Sequence, residues 1–302
     1  MNLFAPFATP FMARALIELV ILGALAGTVG VLVLLRRLAF VTDTMTHTVF
    51  PGVVIGYLAA GEGGIFWGAL AAGVVTAVLL TLLTGRRAVN EDSALAMLLT
   101  SLFALGVVLV SRQSGYTTDL TAFLFGRVLT VTEEQLAQTA LISVVVIATL
   151  ALLRRPLLLR AFDPETAEAA GYRTRSLDLV TNLLVAVVIV AAVRAVGTIL
   201  VIALLIVPAA AARALSDRLA LIVPLAVVIG VLGGWLGLAA SYEASVHHGV
   251  RLAAGGTVVL VLTGLYLLAG LGGVARRRIG RRRAAAGSPG TASSGISTGV
   301  TG

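Results

Sequence analysis

The sequence predicts an all-α fold: a polytopic helical membrane protein with about nine transmembrane helices. Three observations carry this. Of the 302 residues, 59% are hydrophobic and only 12% charged, too little charge to coat a soluble domain of this length. The apolar residues fall into blocks of roughly 20, each long enough to cross a ~30 Å hydrocarbon core as a helix. The arginines collect between those blocks, and the chain has no lysine.

In chain order the spans are expected near 14–35, 38–60, 64–84, 93–111, 134–153, 177–193, 196–213, 219–240 and 255–273. Span one carries one carboxylate, Glu18, a weak ligand candidate near its outer end. Span two, "FVTDTMTHTVFPGVVIGYLAAG", carries Asp43, His47 and Pro51. Between spans four and five lies "GYTTDLTAFLFGRVLTVTEEQ". Its apolar middle, residues 120–129, is too short to cross and is expected to be re-entrant or interfacial. The next loop contains "FDPETAEAAGY". Asp163 fits an N-cap, Pro164 the first helical position, Glu165 the first turn and Gly171 the stop, so a short helix is predicted within about 162–172. Such a defined helix on the cytoplasmic face offers a docking surface for a soluble partner. In spans six and seven, Gly197 and the run from Pro208 to Ala212 predict close helix packing with a kink. Beyond span eight, "SYEASVHHGVRLAAGG" holds Glu243, His247 and His248, which read either as an exposed polar loop or as an external port for metal.

Arginine placement orients the chain. Arg36–Arg37, Arg86–Arg87, Arg154–Arg155 with Arg160, Arg173 and Arg175, then Arg213 and Arg218, fall in alternate loops. Basic loops stay cytoplasmic, which places the N-terminus outside and the C-terminus in the cytoplasm. The run "RRRIGRRR", Arg276 to Arg283, follows the last span. Residues 1–275 therefore read as the membrane domain, and 276–302 as a basic cytoplasmic tail too poor in apolar residues to fold.

The chemistry concentrates in span two. His47 lies about 14 Å along a helix that starts at Leu38, close to the bilayer midplane. Asp43 precedes it by four residues, so both side chains share a helix face. Thr42, Thr44, Thr46 and Thr48 add hydroxyls nearby, and Pro51 with Gly52 weakens the helix beyond. An ionisable residue at this depth is costly and marks an ion path or a polar interior. The residues leave three readings open: a structural pair, a proton relay, or donors to a divalent metal such as zinc or manganese. The absence of cysteine removes disulfides and thiolate ligands. Without lysine there is no conventional P-loop, so the chain cannot be its own ATPase. Nothing suggests covalent catalysis or binding of nucleic acid; the solvent for most of the chain is the lipid bilayer of the cell membrane.

These segments resemble, in order, the membrane permeases of the ABC-3 family, which serve manganese, zinc and iron ABC importers. "FVTDTMTHTVFPG" is similar to that family's D-x-x-x-H-x-x-x-P-G segment. "TDLTAFLFGRVLTV" resembles its segment after span four, "FDPETAEAAGY" its cytoplasmic loop, and "RAVGTILVIALLIVPAAAAR" its late V-G…P-A-A-x-A-R segment. "AAGGTVVLVLTGLYLLA" is similar to its closing span. The resemblance covers roughly residues 15 to 275. It departs at Thr46, where the family usually has Ser or Ala, and after span eight, where residues 242–254 look longer.

The resemblance implies a permease subunit that is not itself an enzyme. It implies a homodimer, two separate cytoplasmic ATPase subunits, and an extracytoplasmic metal-binding protein. It places Asp43 and His47 in the metal path. It assigns the segment with Asp163, Pro164, Glu165, Ala167 and Gly171 to ATPase coupling. The metal, zinc or manganese with iron as the third candidate, is then cargo; no permanently bound cofactor is expected. The alternative is a proton-coupled secondary cation carrier, with Asp43 and His47 as the relay.

Overall fold

The computed structural model describes residues 5–84, 90–111, 126–247 and 252–286. Among them every regular element is helical. The helices are α1 (Pro10–Leu35), α2 (Ala39–Thr48), α3 (Phe50–Ala60), α4 (Glu62–Thr84), α5 (Glu91–Ser111), α6 (Glu133–Leu152), α7 (Arg154–Phe162), α8 (Pro164–Ala169), α9 (Thr174–Leu215), α10 (Leu219–His247) and α11 (Ala254–Ala286). Seven of these, α1, α4, α5, α6, α9, α10 and α11, are long and apolar enough to cross a membrane.

The difference from the expected nine spans has two local causes. Where the sequence predicts span two, the chain forms α2 and α3, of 10 and 11 residues. Pro51 has no N–H for the carbonyl of His47, four residues back, so the helical ladder loses a rung there and breaks at Val49. Spans six and seven, in contrast, are joined as the 42-residue α9, which contains one non-helical residue, Gly197, at φ 79 and ψ 164.

That residue reverses the chain. Near the start of α9, Leu177 packs with Leu32 of α1 and Leu157 of α7. Near its end, Ala212 and Leu215 pack with Val31, Leu34 and Leu35 of α1. A straight 42-residue helix would hold these ends about 60 Å apart. Both ends meet the same end of α1, so the two halves of α9 fold back at Gly197. A side chain at this positive φ with extended ψ, a region almost confined to glycine, would cost about 1–3 kcal/mol. Gly126, also at positive φ, lies directly against the backbone at Val196 and Gly197. There the amide of Arg127 donates to the Ala195 carbonyl at 3.2 Å. Of the segment expected to be re-entrant, residues 120–125 lie outside the described residues, and Val128–Thr130 forms a single 3-10 turn.

α1 and α9 form the inner layer. Of their most apolar stretches 67% and 78% is buried, against 17–33% for the other five long helices. Those five present Trp67, Leu141 and Leu260 among other exposed apolar residues, as a lipid-facing layer should. α3 and α4 form a tight hairpin. Gly52 and Gly56 lie against Gly68 and Gly64, so close that a Cβ at any of the four would strike the opposite backbone. This is the small-x-x-x-small crossing of membrane helices.

Two ends run further than the sequence suggests. α10 continues through Tyr242 to His247, because "SYEASVH" contains neither proline nor glycine to stop it. α11 continues to Ala286, so the basic run is helical backbone instead of coil. Arginine and alanine are good helix formers, and cations near a helix C-terminus favour its dipole. Residues 287–302 lie outside the described residues.

Candidate functional site

α2 is a short helix with two different faces. Thr42, Thr44, Met45, Thr46 and Thr48 are all fully buried, and the helix packs against α5 and α9. Phe40, Asp43 and His47, at i, i+3 and i+7, make the other face. Phe40 is 42% exposed, and the side chains of Asp43 and His47 are 43% and 33% exposed. The threonines therefore do not ring the pair. Thr42 donates to the Leu38 carbonyl at 3.1 Å, Thr46 to the Asp43 carbonyl at 2.7 Å and Thr48 to the Met45 carbonyl at 3.3 Å. Back-bonding of this kind satisfies hydroxyls inside a helix.

Asp43 and His47 do not consume each other. Nε2 of His47 stands 3.9 Å from Oδ1 of Asp43, beyond hydrogen-bond range. Both groups remain open toward the same side. The imidazole meets Phe103 of α5 edge to face, with ring centroids 5.8 Å apart. Phe103 also touches Phe50 at the start of α3, so an aromatic group braces the imidazole across the helix break. Among the described residues, no three His, Asp or Glu side chains gather as a metal cage. The described residues bring one carboxylate and one imidazole together at this point.

The other sequence candidates lie elsewhere. Glu18 is completely buried in α1. Its Oε1 accepts from the Thr139 hydroxyl at 2.9 Å, and its Oε2 has no partner among the described residues. Thr139 borders a small cleft with Gln135, Gln138 and Arg194. Glu243 and His247 sit one helical turn apart at the end of α10. The side chain of His247 and the whole of His248 lie outside the described residues.

The α8 segment is defined at both ends. Asp163 caps α8: its carboxylate accepts the Thr166 N–H at 2.9 Å and the Thr166 hydroxyl. These bonds, the hydroxyl first, hold the Asp163 carboxyl below its usual value. Pro164 is the first helical residue and Glu165 lies in the first turn. Ala167 is fully buried. Gly171 takes φ 85. The Gly171 amide donates to Glu168 at 2.9 Å and the Tyr172 amide to Ala167 at 3.0 Å, the paired bonds that end a helix on a left-handed glycine.

Sequence reasoning missed a charge cluster at the C-terminal end of α1. Asp178 of α9 accepts two bonds from Arg160 of α7, Nε to Oδ1 at 3.1 Å and Nη2 to Oδ2 at 3.0 Å. Arg36 also pairs with Asp178 and donates to the Thr181 hydroxyl at 2.7 Å. The available signal was an aspartate at the head of an apolar run. Its partners, more than a hundred residues away in one case, carry no local signature.

A two-layered helical bundle with seven helices long and apolar enough to cross a membrane is the architecture of a multi-pass membrane protein. The chain belongs to the ABC 3 transport family, which matches it over residues 8–272. It is 37% identical over 259 residues to the manganese transport system membrane protein MntC of Halalkalibacterium halodurans, covering 86% of each chain. It is 33% identical over 258 residues to the manganese import system permease protein ScaB of Streptococcus parasanguinis, covering 85% of this chain and 89% of that one. Among solved structures, PsaBC from Streptococcus pneumoniae in complex with Fab superimposes with a TM-score of 0.76 at 28% identity, covering 89% of this chain and 94% of that one.

Proposed function

We propose that this chain is the transmembrane subunit of an ATP-driven manganese importer, in which Asp43 and His47 hold the ion in transit. The observation that carries this is the open Phe40–Asp43–His47 stripe on an otherwise buried helix. An unconsumed carboxylate and imidazole, side by side, can take a divalent ion, and a pair of donors left open on a surface is suited to completion by a second copy. Two copies related by a two-fold axis would bring two carboxylates and two imidazoles to one point, enough for a four-coordinate site. Manganese is favoured over zinc and iron because the relatives named above are manganese transport and import proteins.

In this reading the chain crosses the membrane nine times: α2 with α3 counts as one passage, and the halves of α9 as two. The arginine-rich ends of α1, α4, α6 and α9 are cytoplasmic, which puts the N-terminus outside. ATPase subunits dock at α8, with the exposed Phe162 and Tyr172 beside it. Their closure rocks the bundles and switches access to the ion. An extracytoplasmic binding protein delivers metal on the side of Glu243 and His247.

The test is uptake of radiolabelled manganese and zinc into cells that co-express the chain with its ATPase and binding protein. Wild type should accumulate manganese only with an active ATPase, and His47→Ala should insert normally yet lose uptake. Uptake that ignores the ATPase and collapses with an uncoupler would instead make the chain a proton-coupled carrier. A preference for zinc would leave the importer and change its cargo.

A further inference from the structure

We propose that Asp178 is a positioning residue that links the α7–α8 segment to the turn between α1 and α2, and so transmits ATPase movement to Asp43 and His47. This rests on the importer reading. Asp178 is placed to do it. Its carboxylate is held in a fork by Arg160 on α7, at 3.1 and 3.0 Å, and by Arg36 at the end of α1. Two-bond guanidinium–carboxylate pairs fix orientation as well as distance. Arg36 is anchored a second time, through Thr181 one turn further along α9. The side chains are only 12% exposed for Arg36 and 24% for Asp178 and Arg160, so salt screens them less than a surface pair. Glu91, in the first turn of α5, lies within electrostatic reach of all three. The direct contacts of Arg36 and Arg160 with Asp178 thus join the end of α1, α7 and α9 at one level.

The turn after Arg36 makes the link directional. Arg37 sits at φ 58, in the left-handed region, a conformation that non-glycine residues keep only where their surroundings fix it. α2 begins two residues later and ends at the Val49–Pro51 break. It is therefore a ten-residue rod between a clamped turn and a weakened joint, with the metal pair upon it. α7 leads directly into α8 with only Asp163 between them. A displacement of α8 reaches α7, then Arg160, Asp178 and Arg36, and tilts this rod. Leu157 packed on Leu32 and Leu177 supplies an apolar contact beside the ionic one.

The experiment compares wild type, Asp178→Asn, Asp178→Glu, Arg160→Gln and Asp178→Asn/Arg160→Gln, each reconstituted in vesicles with ATPase and binding protein. It reads ATP hydrolysis, manganese moved per ATP, and manganese binding to the detergent-solubilised permease. Asp178→Asn should keep hydrolysis within about twofold of wild type while manganese per ATP falls about tenfold, with binding retained. Asp178→Glu should recover most of the loss. The double variant should be no worse than Asp178→Asn alone, since both break one link. The proposal is overturned if Asp178→Asn moves as much manganese per ATP as wild type. It is equally overturned if hydrolysis and complex assembly fall in step with uptake, which is a structural clamp, or if the two substitutions add. A wild type without ATP-driven uptake would remove the importer reading and the link together; normal wild-type uptake with an indifferent Asp178→Asn removes the link alone.

Discussion

Glu18 of α1 and Asp43 of α2 are both carboxylates set well inside their helices, and their surroundings differ in every respect that matters for transport. Glu18 is fully buried between α1 and α6, with one oxygen bonded to Thr139. Asp43 is nearly half exposed, stands 3.9 Å from an imidazole, and faces outward from its bundle. A carboxylate enclosed on all sides can hold helices together but cannot exchange a passing ion. One that is open, with a second donor at its side, can bind and release. An acidic residue in a membrane span thus marks a candidate, and access decides between glue and path.

The largest expected effect breaks the comparison directly. Asp43→Asn should reduce manganese uptake about 100-fold or more, since even outer-shell partners of a metal change affinity 10–100-fold. Glu18→Gln should leave uptake within about threefold, the amide oxygen still accepting from Thr139. Equal losses in the two variants would place both carboxylates in the path. Cysteine scanning sharpens the same contrast without transport. The chain has no cysteine of its own, so any reactivity comes from the introduced residue. Phe40→Cys should form an oxidant-dependent dimer, whereas Glu18→Cys should resist thiol reagents until the protein unfolds. A Phe40→Cys chain that stays monomeric in the membrane would count against pairing through this face.

A smaller effect separates the two sites by stability. Thr139→Val removes the one donor to Glu18 found among the described residues while leaving its carboxyl buried, which should destabilise the fold by about 1–3 kcal/mol. Thr46→Val removes a hydroxyl that only back-bonds to its own helix, and should cost less than about 1 kcal/mol. Thermal unfolding of the purified variants reads both. If Thr46→Val is the worse of the two, the hydroxyl belongs to the site and not to the bundle side of α2.

Much of this was legible in the chain. Blocks of apolar residues specify membrane helices because length and composition alone decide spanning. The i, i+4 spacing placed Asp43 and His47 on one face, and caps at Asp163 and Gly171 are local backbone chemistry. Three things were not legible. The role of the threonines depended on which side of α2 meets α5 and α9. The match of Gly52 and Gly56 to Gly64 and Gly68 is visible as two spaced glycine pairs, yet only the hairpin shows that they touch. The Arg36–Asp178–Arg160 cluster joins residues 142 and 18 positions apart, and no local pattern encodes such a contact.

A third carboxylate extends the comparison to the α7–α8 junction and carries the smallest expected effect. Asp163 is exposed, and its pKa is depressed because the Thr166 hydroxyl and amide both donate to the ionised form. A group whose folded pKa lies below its unfolded one stabilises the fold at every pH above the unfolded value. That contribution is lost only as pH falls through the folded value. The cap should therefore act at full strength, without change, between about pH 5 and pH 8. Hydrogen exchange in α8, corrected for the intrinsic dependence on pH, should be flat across this range and should quicken on acidification below the ordinary carboxylate range. Asp163→Ala should quicken exchange at Thr166 at all these pH values, while Asp163→Asn, also a good cap, should change it little and should remove the acid transition. A transition near neutral pH in wild type would mean that a different group governs α8, and would separate the helix proposed to meet an ATPase from the cap that defines it in the sequence.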